Sequence, residues 1–234
     1  AASHELVGVE ALVRWDHPAL RDEPTNLVLS IAEDTNLLCE IDARVFARAL
    51  DMVRRLNAAG YAVPRLSVNT SLKRLLDETL PQSLDAQGPW PCEIAFELLE
   101  TIDFDAYTAE LAEVLDTLRS RGIAVEIDDF GSGHASVSAL MALRPDRIKL
   151  DRSITDIARD RTSDRLPLVK ALVDMGRALG IGLTAEGVET LEQAEALRSL
   201  GCDTLQGFHF ARSMTEEALM QWLDGPAPRS GMVG

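Results

Sequence analysis

Apolar positions along the chain follow two alternating patterns. In the first they recur at spacings of three and four: Val45, Phe46, Ala49, Leu50, Val53 and Leu56 before Gly60, then Leu111, Val114, Leu115 and Leu118 before Gly122. Leu168, Val169, Leu172 and Val173 precede Gly180 in the same way, and the run from Leu191 to Leu200 precedes Gly201. Such spacing lays one apolar face along a helix, and a glycine just past the last turn predicts a left-handed cap. In the second pattern the apolar runs are too short for helices: residues 6–14, 65–69, 93–97, 123–128, 147–151, 181–186 and 204–208. Short strands alternating with amphipathic helices predict an α/β protein with a mainly parallel sheet. No Gly/Pro/Ser-rich linker interrupts the alternation before residue 225. The reading is one domain over 1–224, then a C-terminal tail over 225–234.

The strand ends choose between two α/β architectures. No G-x-G-x-x-G follows the first strand and no phosphate-binding G-x-x-x-x-G-K-[ST] occurs, so a doubly wound nucleotide fold is disfavoured. Instead the strands finish on Glu10, Asn69, Glu97, Asp128 with Asp129, Lys149 with Asp151, Glu186 and Gln206. Polar residues contributed by nearly every strand suit a (β/α)8 barrel, whose active site lies at the C-terminal ends of its strands.

Composition then limits the function. Asp and Glu total 38 against 23 Lys and Arg, a net charge of −15, which argues against gripping a long nucleic acid. No apolar run approaches the roughly 20 residues of a membrane span, and no signal-peptide pattern opens the chain. Cys39, Cys92 and Cys202 show no C-x-x-C spacing and read as free thiols of a reducing, cytoplasmic compartment. Within this acidic chain, Glu10, Asn69, Glu97, Asp128, Asp129 and Glu186 would converge on one barrel mouth. Carboxylates that close repel unless a positive charge lies among them. Oxygen donors without histidine or cysteine suit Mg²⁺ or Mn²⁺ and disfavour zinc. Adjacent Asp128 and Asp129 could bridge two ions, and Lys149 could orient or deprotonate an attacking water.

At this point the motifs carry a resemblance. Gly8-Val9-Glu10-Ala11-Leu12-Val13-Arg14-Trp15 resembles the signature segment of the EAL-domain family, bacterial phosphodiesterases that open cyclic di-GMP to linear pGpG with Mg²⁺ or Mn²⁺. The likeness continues in order through Ser67-Val68-Asn69-Thr70-Ser71, Phe96-Glu97-Leu98-Leu99-Glu100, Asp128-Asp129-Phe130-Gly131-Ser132-Gly133, Ile148-Lys149-Leu150-Asp151, Ala185-Glu186-Gly187-Val188-Glu189 and Gln206-Gly207-Phe208. It implies a TIM-like barrel in which Glu10, Asn69, Glu97 and Asp128 hold one ion, and Asp128, Asp129 and Glu186 serve a second. It further implies that Lys149, Asp151 and Gln206 position the attacking water, with Glu186 also catalytic. Arg14 would grip a substrate phosphate, with Leu12, Asp151 and Glu189 also on the substrate. Glu100 would steady the loop after Asp128-Asp129, a loop that in the family also serves dimerisation.

The chain departs from the family pattern in several places. Leu99 replaces a threonine whose hydroxyl would tether the loop after Asp128-Asp129. His134 stands for a tyrosine, Ala135 for a serine and Ser213 for a proline. Glu126 points inward where the family has a small residue, and Arg14 or Lys149 are its expected partners. Only seven strands are found, so the expectation is a (β/α)8 barrel lacking its N-terminal strand in this chain, trimmed from a longer protein with an upstream sensor or GGDEF domain. The alternative reading is a catalytically weak or inactive module that senses cyclic di-GMP or contacts a protein partner. Eight of the 38 acidic residues (Glu10, Glu97, Glu100, Asp128, Asp129, Asp151, Glu186 and Glu189) fall in the site motifs, so the acidity is in good part gathered.

Overall fold

The computed structural model describes residues 6–20, 22–100, 108–131, 137–160, 162–225 and 231–233. In chain order its elements are β1 (Leu6–Ala11), α1 (Thr25–Asp34), α2 (Leu38–Ala58), β2 (Arg65–Asn69), α3 (Leu72–Leu75), α4 (Leu80–Asp85) and β3 (Glu93–Leu99). There follow α5 (Thr108–Ser120), β4 (Ile123–Phe130), α6 (Val137–Leu143), β5 (Arg147–Leu150), α7 (Arg152–Thr155) and a 3₁₀ turn at Asp156–Arg159. The series closes with α8 (Leu166–Leu179), β6 (Gly182–Ala185), α9 (Leu191–Leu200), β7 (Thr204–Leu205), α10 (Glu216–Leu223) and β8 (Gly231–Val233). The strands form one sheet in the order β7-β6-β5-β4-β3-β2-β1-β8, and every pairing is parallel. The seven expected strands are all present and curl into a nearly closed barrel. Part of the segment read as a tail, Gly231–Val233, pairs with Leu6–Val9 of β1 and lies against β7 across the seam. Three residues carry too little apolar pattern to announce a strand, and only the open edge of β1 makes them one. Gly180 and Gly201 cap α8 and α9 in the left-handed conformation, as their positions predict.

Period-two alternation sorts the strand residues by face. Leu66, Val68, Ile94, Phe96, Leu98, Val125, Ile127, Ile148, Leu150 and Leu183 are buried under the helices and make the main core. The other face is polar or small where many barrels carry branched apolar side chains. Ser67, Ala95, Thr184 and Gly8 make room there, and the volume goes to Arg65, Glu97, Glu126, Asp128, Arg147 and Lys149. Among the described residues no helix is long and apolar enough to cross a membrane.

Candidate metal centre and active site

Each strand delivers its polar residue at its C-terminal end, and backbone hydrogen bonds continue the ladder past the strands to fix the register. Thr70 N donates to Glu97 O at 2.9 Å, Glu100 N to Asp128 O at 3.1 Å, Glu186 N to Leu150 O at 3.2 Å and Gln206 N to Ala185 O at 2.9 Å. The centre of the constellation is Lys149, whose side chain is 1% exposed. Its Nζ lies 2.7 Å from Glu186 Oε1, 3.0 Å from Glu97 Oε1, 3.0 Å from Asp128 Oδ1 and 3.4 Å from Glu10 Oε2. Glu10 also accepts from Asn69 Nδ2 at 3.1 Å and from Gln206 Nε2 at 2.7 Å. Residues from β1, β2, β3, β4 and β5 and the loops after β6 and β7 thus meet at one point.

Asp129 reaches this group by a distortion. Strict alternation would turn it away from Asp128, but the β4–β5 register slips between Ile127 and Phe130, and Asp129 adopts a left-handed φ of 55°. The bulge redirects the side chain. Carboxylate oxygens of Asp128, Asp129 and Glu186 consequently lie within 4.8 Å of one another.

The charges respond to this crowding. Burial would push the Lys149 ammonium down, yet Glu97, Glu10, Glu186 and Asp128 together hold it well above its ordinary value. Burial raises Glu97 well above the carboxylate range, aided by Glu10, Asp128 and Glu126 and opposed by Lys149. Glu186 is pushed up to about 7 by burial, against the pull of Lys149. Glu10 goes the other way: Lys149 and the donors Gln206 and Asn69 outweigh its burial and lower it. Asp129 is raised by burial and by its neighbours Asp128 and Asp151. Apart from the ammonium of Lys149, both oxygens of Glu97 and Oδ1 of Asp128 are buried without a hydrogen-bond donor among the described residues. Under-supplied carboxylate oxygens, with one amide and no nitrogen or sulfur donor, fit a hard divalent cation.

The remaining expected residues lie around this centre in different ways. Asp151 caps α7, accepting from Ser153 N at 2.8 Å. Glu100 Oε2 accepts from Gly131 N at 3.0 Å, which anchors the start of the loop after β4. That loop's His134 and Ala135 lie outside the described residues, while Leu99 is half-exposed. Leu12 and Arg14 line a cavity of about 550 Å³ that Glu10 and Ser213 also border. The Arg14 guanidinium there donates to the carbonyl of Val13 at 2.8 Å. Glu189 is drawn outward instead: its carboxylate pairs with Arg152 at 2.6 Å and Arg159 at 2.7 Å, and these bonds lower its pKa. Glu126 departs from its expected pairing. It is fully buried, but its ion-pair partners are Arg65 and Arg147 and not Arg14, with Lys149 contributing only a weaker attraction. Arg147 shares the inward face of Lys149 and Arg65 that of Asn69, so parity pointed at both guanidiniums.

An EAL domain family model matches residues 1–213. The chain belongs to the EAL domain family. This EAL domain is 34% identical over 226 residues to the cyclic di-GMP phosphodiesterase RocR of Pseudomonas aeruginosa, covering 94% of this chain and 56% of RocR. It spans between 27% and 56% of the length of eight curated relatives that it matches. The cyclic di-GMP complex of the phosphodiesterase PaMucR superposes with a TM-score of 0.79 at 34% identity, over 92% of this chain and 88% of that one. A manganese and cyclic di-GMP complex of Klebsiella pneumoniae BlrP1 gives a TM-score of 0.66 at 31% identity, over 81% and 48% of the two chains.

Proposed function

We propose that this EAL domain hydrolyses cyclic di-GMP to linear pGpG with Mg²⁺ or Mn²⁺. The observation that carries the reading is the full set of oxygen donors around Lys149 in a chain of this family. Glu10, Asn69, Glu97 and Asp128 would hold one ion, and Asp128, Asp129 and Glu186 a second. Bound there, the cations supply neutralising charge to the phosphate oxygens as phosphorus passes through five-coordination. Lys149, with Gln206 and Asp151 nearby, orients the attacking water, and Glu186 also serves the catalytic step. Water oxygen bonds to phosphorus, the bond to the ribose 3′ oxygen breaks, and that oxygen takes up a proton. One phosphodiester of the ring is thereby opened. Arg14 and Leu12, on the cavity that borders Glu10, receive the dinucleotide, and Asp151 and Glu189 support its binding. Function as a cytoplasmic homodimer, attached to a sensor or GGDEF domain, belongs to the same proposal.

The test is incubation of the purified protein with cyclic di-GMP and Mn²⁺ or Mg²⁺, following pGpG by chromatography. Metal-dependent product that disappears in Glu10→Ala and Lys149→Ala is expected. Tight binding without turnover would reject catalysis and leave a binding module.

A further inference from the structure

Beneath the carboxylates, the barrel holds a charge cluster that the proposed reaction does not use. Glu126 is fully buried on β4, two residues before Asp128, and its register neighbours are Glu97 on β3 and Arg147 on β5. Its Oε1 pairs with Arg65 Nη2 and lies 3.5 Å from Arg147 Nε. The side chain of Arg65 is 9% exposed and also reaches Glu93 at 3.0 Å, while Arg147 Nη1 donates to Thr204 Oγ1 at 2.7 Å. Two guanidiniums therefore sit inside the barrel, tied down by a carboxylate one register position from Glu97.

We propose that Glu126, by holding Arg65 and Arg147, sets the divalent-cation affinity of the carboxylate site above it. The inference rests on the cation-site reading of the previous subsection. Guanidinium stays charged whatever its partner does. With Glu126 ionised, Arg65 and Arg147 are balanced by Glu126 and Glu93; with a neutral residue in its place the cluster carries one positive charge. That unbalanced positive charge lies below the next acids inward, Glu97 and Asp128, as a rival of the ion. A second effect opposes this one, because Glu126 also repels the charge of Glu97. An incoming ion carries two positive charges, however, so removing a nearby negative charge disfavours it on balance. Glu126 is thus a positioning residue: it acts on the cation through the arginines.

Calorimetric titration of the full chain with Mn²⁺ tests this, beside thermal unfolding of each variant. Glu126→Gln is expected to weaken Mn²⁺ binding about tenfold or more, the scale of one unit charge at short range in a protein interior. Arg147→Gln alone should tighten it, and the double variant should return close to the unsubstituted chain. Unchanged affinity in Glu126→Gln, or a loss that the double variant fails to relieve, would overturn the proposal. If Glu126→Gln does not fold, Arg147→Gln decides, since unchanged or weaker binding there also overturns it. Absence of Mn²⁺ binding by the unsubstituted chain would instead overturn the cation-site reading, and this inference with it.

Discussion

Lys149 shows how one residue converts an unstable arrangement into a stable one. Four carboxylates within 3.4 Å of a point repel strongly, and an ammonium buried to 1% exposure is costly on its own. Each cost is the other's remedy, and the direction of the Lys149 shift shows that the attraction wins. Replacing Lys149 by Met keeps much of the side-chain volume and removes the charge. Breaking one side of a buried ion pair typically costs about 3–5 kcal/mol, and a loss of that size is expected in cation-free denaturant unfolding. Mn²⁺ should recover part of it, because a cation can replace the missing charge. Phosphodiesterase activity should remain at background, since the ion does not restore the group that orients water. Glu126 belongs at the same scale: its inward parity was readable, whereas its choice of Arg65 over Arg14 was not.

At the scale of elements, two backbone features assemble the site. The bulge in β4 brings Asp129 to the side of Asp128. The second feature joins the loops after β6 and β7. Val188 N donates to Gln206 O at 3.0 Å and His209 N to Val188 O at 2.9 Å, so Glu186 and Gln206 are held by one short zipper. Gly207 makes that zipper possible. Its φ is 152°, and a Cβ there would lie 2.3 Å from both the N and the O of Val188. Backbone cannot yield as a side-chain tip can. Gly207→Ala is therefore expected to lower stability by about 3 kcal/mol or more, measured by denaturant unfolding, and to cut activity by displacing Gln206 from Glu10. A loss of stability with full activity would mean that the zipper supports the fold alone.

For the whole molecule, the net charge of −15 and the gathered carboxylates act in one direction. Glu186 titrates near 7 in the folded chain against an ordinary 4.5, so the folded state binds this proton more tightly than the unfolded state does. Stability from this group is present below about pH 4.5 and is lost as pH rises to about 7, a contribution of about 3 kcal/mol. Self-repulsion of the acidic surface grows over the same range. The melting temperature of the cation-free protein should fall between pH 5 and pH 7.5. Added Mn²⁺ should raise it most at the upper end, because the ion binds the folded, deprotonated site. A melting temperature that climbs through this window would contradict the assigned burial of Glu186.

The sequence by itself determined the alternation of strands and helices, the barrel class, the family motifs and the residues that end each strand. These follow from local spacing: period two, period three to four, and glycine at helix ends. Only the tertiary structure decided which groups touch. It alone showed how Asp129 reaches the side of Asp128, because a bulge is a register slip between two strands and leaves no periodic mark on either. It gave Glu126 to Arg65 and Arg147, and Glu189 to Arg152 and Arg159, because ion-pair choice depends on distances across the barrel between residues far apart in the chain. It also made a strand of Gly231–Val233, whose pairing comes from the open edge of β1 and not from its own residues.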